Sequence, residues 1–84
     1  MRIKEIHPQP DWILMIVAED GQIGHFDVKP YLGYEAFETL KDANEFVKVR
    51  NGGYFVEWDC GADLSADTIH AQWRVGESTP LAIA

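Results

Sequence analysis

Runs of alternating apolar and polar residues predict five β-strands along the chain. A period of two is typical of strands that bury one face, and turn-forming residues separate the runs. The predicted strands are Arg2–His7, Asp11–Glu19, Gln22–Val28, Val47–Arg50 and Tyr54–Trp58. Ile3 and Ile6 are three positions apart, which breaks strict alternation, so we expect either a β-bulge in the first strand or an early end of that strand. Pro8 and Pro10 are expected to end that strand in a loop.

The second and third strands are predicted to form a hairpin around Asp20-Gly21, because both positions of such a two-residue turn can take positive φ. This register pairs Met15 with Phe26 and defines two faces. The face expected to be buried contains Ile13, Met15, Val17, Gly24, Phe26 and Val28. The other face contains Trp12, Leu14, Ile16, His25 and Asp27. Since this second face mixes apolar and polar side chains, we expect it to be partly covered. The cover is either this chain's own helix, which we favour, or another subunit.

A second hairpin is predicted around Asn51-Gly52, with Val47 facing Val56. Its two strands are joined to the first hairpin by a segment that lacks strand alternation. Short helical turns are expected in that segment because it combines polar capping residues with spaced apolar ones.

Two short helical turns are predicted between the hairpins. Tyr34–Leu40 places Phe37 and Leu40 on one side, so these two side chains are expected to face inward. Asp42 is expected to cap a further turn over Ala43–Phe46. Turns this short depend on packing for their stability.

The last predicted strand leads into a capped helix. Gly61 permits a backbone conformation that is closed to most residues. Ser65 is the predicted N-cap, and Leu64 and Ile69 have the spacing of a hydrophobic staple across it. Asp67 lies in the first turn, where a negative charge is favourable. The residues of this structural motif are Trp58, Gly61, Asp63, Leu64, Ser65, Asp67 and Ile69.

Together these elements predict an α+β fold of antiparallel β-hairpins. It consists of a three-strand meander and a second hairpin, with short helical turns and one C-terminal helix. The helix is expected to run to about Arg74 and to stop at Gly76. For a chain of 84 residues we expect a single domain over residues 1–75 and a flexible tail over residues 76–84.

Composition and charge narrow the classes of function. The chain is 46% hydrophobic and has three Trp, three Tyr and four Phe residues, which suits a compact core. The net charge of −7 repels phosphate backbones, so direct nucleic-acid binding is not expected. A single cysteine cannot form an internal disulfide. There is no signal-peptide pattern, and the longest apolar run is too short to span a bilayer. We therefore expect a cytoplasmic protein without membrane contact.

The residues that could carry chemistry do not form a recognised motif. They are the histidines His7, His25 and His70, the carboxylates Asp59, Asp63 and Asp67, and Cys60. The histidines lack the spacing of metal ligands, and the carboxylates lack the order of a calcium loop. We therefore expect no catalytic residue, no metal site and no cofactor. A small enzyme centred on Cys60, His70 and Asp63 would require these side chains within about 4 Å of one another.

Several motifs are shared with one small bacterial family. They are Ile3-x-x-Ile6-x-Pro8, Asp11-Trp12-x-Leu14, Asp20-Gly21, Phe26-Asp27-Val28-x-Pro30-Tyr31-Leu32, Phe37-x-x-Leu40 and Trp58-x-x-Gly61-x-Asp63-Leu64-Ser65-x-Asp67-Thr68-Ile69. On these motifs, which span about residues 3–72, the chain resembles domain of unknown function 2442.

The resemblance implies an α+β fold. It also implies a gene beside another small gene, in an arrangement like that of toxin–antitoxin or paired regulatory modules. It implies no established activity, so no catalytic residues follow from it. This sequence has no helix-turn-helix of the kind some members carry, which removes the direct route to DNA. It also has Ala66 where the family commonly has proline.

The leading hypothesis is a non-catalytic cytoplasmic protein-interaction module, acting as a homodimer or as one half of a two-gene pair with a basic partner. The residues expected to contact a partner are Trp12, Leu14, Ile16, His25 and Phe55. The alternative is a ligand-sensing or regulatory domain that works with a DNA-binding partner. That alternative predicts a pocket lined by Tyr31, Tyr34, Trp58 and Trp73.

Overall fold

The computed structural model describes residues 1–75 and contains seven β-strands and two α-helices in that range. The strands are β1 (Ile3–Gln9), β2 (Ile13–Ala18), β3 (Ile23–Asp27), β4 (Arg50–Asn51), β5 (Phe55–Glu57), β6 (Asp63–Ser65) and β7 (Arg74–Val75). The α-helices are α1 (Ala43–Phe46) and α2 (Ala66–Gln72), and the 3-10 segments are Pro10–Trp12, Lys29–Tyr31 and Glu35–Lys41. The predicted α+β class with a C-terminal helix is confirmed. The tail predicted for residues 76–84 lies outside the described residues.

The strands form two antiparallel sheets that meet along β1. The larger sheet has the order β1-β2-β3-β7, and the smaller sheet has the order β4-β5-β6. Where they meet, the N–H of Ile3 donates to the carbonyl of Gly53 at 2.7 Å. The side-chain amide of Asn51 donates to the carbonyl of Ile3 at 3.1 Å. We call this junction the sheet seam. The predicted β-bulge is present beside it, between Ile3 and Glu5.

Pro8 lies inside β1 and pairs with Leu14, so the expectation that it begins a loop is wrong. Proline has no backbone N–H to donate to a neighbouring strand. An edge strand such as β1 tolerates the loss of that hydrogen bond. The chain leaves the strand at Pro10, which starts the first 3-10 segment as expected.

The core lies on one face of the larger sheet, against the helices and the smaller sheet. Its buried members are Ile3, Leu14, Ile16, Phe26, Val28, Phe37, Leu40, Phe46, Val56, Trp58, Ala62, Leu64, Ala66 and Ile69. The inward orientation predicted for Phe37 and Leu40 is confirmed. Trp58 is central, because its ring lies 6.0 Å from that of Phe46 and its Nε1 donates to the Phe46 carbonyl at 2.8 Å.

The turn between β2 and β3 contains three residues rather than the predicted two. The N–H of Ala18 donates to the carbonyl of Gln22 at 2.8 Å, and the N–H of Gly21 donates to the carbonyl of Ala18 at 2.9 Å. Gly21 has φ of +93°, which is the left-handed conformation that closes a three-residue hairpin loop. The predicted register of this hairpin is therefore wrong by one residue.

A shift of one residue moves every side chain of the strand to the opposite face. Leu14 pairs with Phe26, and Met15 pairs with His25. Leu14 and Ile16 are both 0% exposed in the core, so the expectation that they contact a partner is wrong. Met15, predicted to be buried, is half-buried on the other face.

The second hairpin is also shorter than predicted. Asn51 pairs with Val56, so the predicted pairing of Val47 with Val56 is wrong. The turn lies further along the sequence than predicted. It is stabilised by the side chain of Asn51, which accepts a hydrogen bond from the N–H of Gly53 at 2.7 Å. Val47 belongs instead to the end of α1, where its N–H donates to the carbonyl of Ala43 at 3.2 Å.

The predicted junction of strand and helix is confirmed, with the short strand β6 inserted before the helix. Gly61 has φ of +96°. The Oγ of Ser65 accepts a hydrogen bond from the N–H of Thr68 at 3.1 Å, which makes Ser65 the N-cap of α2. Leu64 and Ile69, the predicted staple, are both buried. The junction therefore fixes the direction in which α2 leaves the smaller sheet.

The end of α2 differs from the prediction. The helix stops at Gln72, with Trp73 at its C-cap, rather than continuing to Arg74 and ending at Gly76. The ring of Trp73 lies directly on Gly24, where an added Cβ would be 2.0 Å from the indole. This packing on β3 takes the chain out of the helix and into β7.

Candidate functional site

Two adjacent residues with positive φ mark the connection between β1 and β2. Asp11 has φ of 67° and Trp12 has φ of 59°. Residues with a side chain rarely adopt this conformation, which costs of order 1–3 kcal/mol each unless the surroundings hold it. Because such conformations cluster at binding and catalytic sites, the connection is a candidate for a functional site.

Lys29 and Leu40 hold this strained connection in place. The Nζ of Lys29 donates to the carbonyl of Asp11 at 2.8 Å and to its carboxylate at 3.0 Å. The same ammonium lies 3.1 Å from the carboxylate of Asp27. The hydrogen bond with Asp11 is the largest cause that raises the pKa of Lys29 above its ordinary value. On the other side, Nε1 of Trp12 donates to the carbonyl of Leu40 at 2.6 Å.

An apolar groove lies between this connection and α1, and we call it the Trp12 groove. Its volume is about 310 Å³. It is lined by Pro8, Gln9, Pro10, Asp11, Trp12, Ala43, Phe46 and Val47. Asp42 positions the far wall, because its carboxylate caps α1 by accepting from the N–H of Asn44 at 2.9 Å, as predicted. Val47 is 56% exposed and forms an accessible part of that wall.

The charged residue in the lining of the Trp12 groove is Asp11. Two further carboxylates, Asp42 and Glu45, belong to the cap and first turn of α1. Lys29 pairs with Asp11 at 3.0 Å, and Lys48 pairs with Glu45 at 3.0 Å, which raises the pKa of Lys48 above its ordinary value. The groove is thus an apolar recess whose charged lining residue, Asp11, is paired with Lys29, and it suits an apolar side chain.

The second surface is the side of the larger sheet that faces away from the core, and we call it the outer face. Four hydrophobic side chains of this face stand apart from the core cluster and from the residues packed on it: Ile13, Met15, Val17 and Ile23. The first three are half-buried, and Ile23 is 44% exposed. By strand pairing they share this face with Glu5, His7, Gln9, His25, Asp27 and Arg74.

The five residues predicted to contact a partner lie in four different places. Trp12 lines the groove, His25 lies on the outer face, and Leu14 and Ile16 lie in the core. Phe55 is 39% exposed on the smaller sheet, and its ring covers Gly52. The mixed face predicted around His25 does exist, but its apolar members are Ile13, Met15, Val17 and Ile23.

The sequence contains a usable signal for some of the missed residues. Leu14, Ile16 and Ala18 alternate with Met15 and Val17, so either set could have been buried; only the length of the turn decides between them. For the groove, the signal is an aromatic residue in a proline-flanked loop. The sequence does not indicate the second wall, because Val47 is predicted in a strand and lies instead at the end of α1.

The candidate enzyme residues have separate surroundings. The Sγ of Cys60 is exposed and donates to the carbonyl of Ala36 at 3.8 Å. The ring of His70 lies against Trp73, with centroids 5.2 Å apart. Asp63 belongs to the exposed side of β6. Within residues 1–75, no three His, Cys, Asp or Glu side chains are arranged to hold a metal ion.

The four aromatic residues predicted to line a ligand pocket are not gathered around one. Trp58 is 2% exposed and packs in the core, whereas Trp73 lies on β3 against Gly24. Tyr31 contacts Tyr34 and Phe37, with ring centroids 6.1 and 5.6 Å apart. The lining of the Trp12 groove contains none of these four residues.

The fold and its two exposed apolar surfaces define a small α+β domain made of two joined antiparallel sheets. The family model described as Protein of unknown function (DUF2442) matches residues 3–75, and the chain belongs to this family. The resemblance inferred from the sequence motifs is confirmed. No curated protein and no solved structure matches the chain. Within residues 1–75, no helix is both long enough and apolar enough to cross a membrane.

Proposed function

We propose that the chain is a non-catalytic cytoplasmic protein-interaction module that forms one half of a two-gene pair, of toxin–antitoxin or regulatory type. The observation that carries the proposal is the Trp12 groove. A strained connection forms one wall, and Lys29 and the Leu40 carbonyl hold that connection open. A preformed apolar recess of this kind can bind an anchoring side chain of a partner. Little free energy is then lost in ordering the recess on binding.

The charge of the chain indicates the chemistry of the partner. The net charge is −7, and the stretch from residue 51 to residue 73 contains no lysine or arginine. At the groove, Asp11 lies in the wall, and Asp42 caps the helix that forms the far wall. A partner segment with one large apolar residue between lysines or arginines matches both the recess and its surroundings. Such a partner is drawn toward this surface before contact, and salt weakens that attraction.

A ligand-sensing or regulatory domain that works with a DNA-binding partner is the second candidate. The volume of about 310 Å³ supports it, because small-molecule sites begin at about 300 Å³. Small-molecule sites also use a few polar groups that fix the orientation of the ligand. The polar groups of Asp11 are already bonded to Lys29, which favours an apolar side chain over a polar metabolite.

Amide chemical shifts of the chain in the presence of two synthetic peptides test this function. The first peptide has a single phenylalanine between lysines, and the second has glutamates in place of the lysines. We expect the lysine peptide to shift the indole N–H of Trp12 and the amide of Val47, and the glutamate peptide to leave them unchanged. Shifts of equal size with both peptides, or shifts confined to another surface, overturn the proposal.

A pair of matched variants localises the binding. Val47→Lys puts a positive charge in the groove wall, and Ile23→Lys puts the same charge on the outer face; both positions are exposed. We expect Val47→Lys to weaken binding of the lysine peptide at least about tenfold and Ile23→Lys to leave it unchanged. Loss of binding in both variants, or in neither, contradicts the assignment of the groove.

A further inference from the structure

The side-chain amide of Asn51 links the two sheets at the sheet seam. Its nitrogen donates to the carbonyl of Ile3 at 3.1 Å and to the carbonyl of Lys4 at 3.3 Å. Its oxygen accepts from the N–H of Gly53 at 2.7 Å. These partners fix the orientation of the amide, because a carbonyl must face its nitrogen and an N–H must face its oxygen. The seam therefore requires a donor at residue 51 that a carboxylate lacks.

The residue after Asn51 makes this amide chemically labile. Asn51 and Gly52 are both exposed to water. The ring of Phe55 lies on Gly52, where an added Cβ would be 2.3 Å from the ring, so the packing favours glycine. Glycine has no Cβ to shield its backbone nitrogen, and it allows the conformation in which that nitrogen reaches the preceding side chain. The packing of this hairpin thus places the residue that most promotes loss of a side-chain amide directly after the amide of the seam.

We propose that Asn51 is a site of spontaneous deamidation. The backbone nitrogen of Gly52 attacks Cγ of Asn51 and forms a cyclic imide. The bond between Cγ and the side-chain nitrogen breaks, and that nitrogen leaves as ammonia with the proton that Gly52 gives up. Water then opens the imide. Opening at Cγ gives aspartate, and opening at the backbone carbonyl gives isoaspartate, in which the main chain runs through Cβ.

The closed seam slows this reaction. The nitrogen of Gly52 must lose its proton to attack, but its N–H donates to the carbonyl of Phe55 at 2.8 Å. Cγ of Asn51 must also turn toward that nitrogen, whereas the hydrogen bonds of the amide hold the side chain against β1. Local opening of the seam releases both groups, so the rate of deamidation follows the population of the open seam.

The product cannot restore the seam. Aspartate at residue 51 still accepts from the N–H of Gly53, but it has no proton to donate to the carbonyls of Ile3 and Lys4. A transient opening of the seam thereby becomes a permanent one. None of these residues lines the Trp12 groove, so the inference does not depend on the proposed function.

Peptide mapping by mass spectrometry tests the site during storage of the full chain in mildly alkaline buffer. Asn44, which precedes glutamate, is the internal control. In urea we expect Asn51 to deamidate at least about tenfold faster than Asn44. In the folded chain the rate at Asn51 should be at least about tenfold lower than in urea. Equal rates at the two asparagines in urea, or equal rates at Asn51 in the folded and unfolded chain, overturn the proposal.

Two glycine variants test whether opening of the seam controls the reaction. Gly53 and Gly21 have φ of +88° and +93°, and an added Cβ meets no atom closer than 3.9 Å at either position. Alanine therefore introduces similar backbone strain at both, but only Gly53 lies at the seam. We expect Gly53→Ala to raise the rate at Asn51 in the folded chain at least about fivefold more than Gly21→Ala, with equal rates in urea. Equal acceleration in both folded variants would show that global unfolding controls the reaction instead.

The variant Asn51→Asp tests the effect of the product on the seam. The N–H of Ile3 reports on the seam, because it donates to the carbonyl of Gly53 at 2.7 Å. We expect hydrogen exchange of this amide to be at least about tenfold faster in Asn51→Asp. Asn44→Asp adds the same charge elsewhere and should leave the exchange unchanged. Unchanged exchange at Ile3 in Asn51→Asp, or the same acceleration in both variants, contradicts the inference that deamidation opens the seam.

Discussion

The indole Nε1 of Trp12 donates to the backbone carbonyl of Leu40 at 2.6 Å, across 28 residues of sequence. This bond joins the strained connection after β1 to the 3-10 segment Glu35–Lys41, which leads directly into α1. Both walls of the Trp12 groove are therefore tied to each other by one side chain that also lines the recess.

Trp12→Phe removes this bond and keeps an aromatic ring in place. We expect the free energy of unfolding to fall by roughly 0.5–1.5 kcal/mol, because the carbonyl of Leu40 loses a partner. Urea denaturation measures the loss. Tyr34→Phe, at a residue that is well exposed, is the control and should change stability by less than about 0.5 kcal/mol. Equal stabilities of Trp12→Phe and the original chain would show that the bond contributes nothing.

The ion pairs of Lys29 make one part of the stability depend on pH. Its pKa is raised in the folded chain, first by the hydrogen bond with Asp11. A raised pKa means that this contribution is fully present below the unfolded value, about 10.4, and is lost as pH rises through the folded value. Lys29→Met should therefore lower the melting temperature at pH 7 to 9, and the difference from the original chain should shrink above about pH 10.5. A difference that stays constant through this upper range contradicts the assigned role of the ammonium.

The observed register makes opposite predictions for two neighbours on β2. Leu14→Ala removes a fully buried side chain and should cost roughly 2–5 kcal/mol. Met15→Ala removes a half-buried side chain from the outer face and should cost less than about 1 kcal/mol. The register based on a two-residue turn predicts the reverse order. Denaturation curves of the two variants decide between the registers.

Gly21 and Gly33 form a matched pair for the turn. An added Cβ meets no atom within 4 Å at either position, so a steric clash is absent from both. Gly21 has φ of +93°, whereas Gly33 is not among the positive-φ glycines. Gly21→Ala should cost about 1–2 kcal/mol, and Gly33→Ala should be neutral or slightly stabilising. A similar cost at both positions would show that the left-handed conformation of Gly21 is not required.

Local signals in the sequence predicted local structure well. The cap at Ser65 depends on a hydroxyl and an N–H three residues apart, and the cap at Asp42 on a similarly short contact. The bulge in β1 and the inward side chains of Phe37 and Leu40 also follow from spacing within a few residues. The residues that determine each of these features lie within a few positions of one another in the sequence.

The functional surfaces depend on choices that the local sequence leaves open. Asp20-Gly21 is compatible with turns of two or three residues, and this one difference exchanges the inward and outward side chains of β2, whereas Phe26 and Val28 are buried as predicted. The Trp12 groove requires Leu40 and α1 to reach a loop about 30 residues earlier in the chain. Such a contact is a property of the assembled domain, so no periodicity near Trp12 could have indicated it.

The sheet seam has a consequence for the order in which the chain folds. Asn51 and Ile3 are 48 residues apart, and closing a loop of that length costs roughly 3 kcal/mol of chain entropy before the contact contributes anything. On the ribosome, β1 can pair with β2 early, but its other contact must wait until residues 51–53 have been synthesised. The two sheets therefore become one cooperative unit only late in translation, and the rate of that last step reflects long-range strand association rather than helix formation.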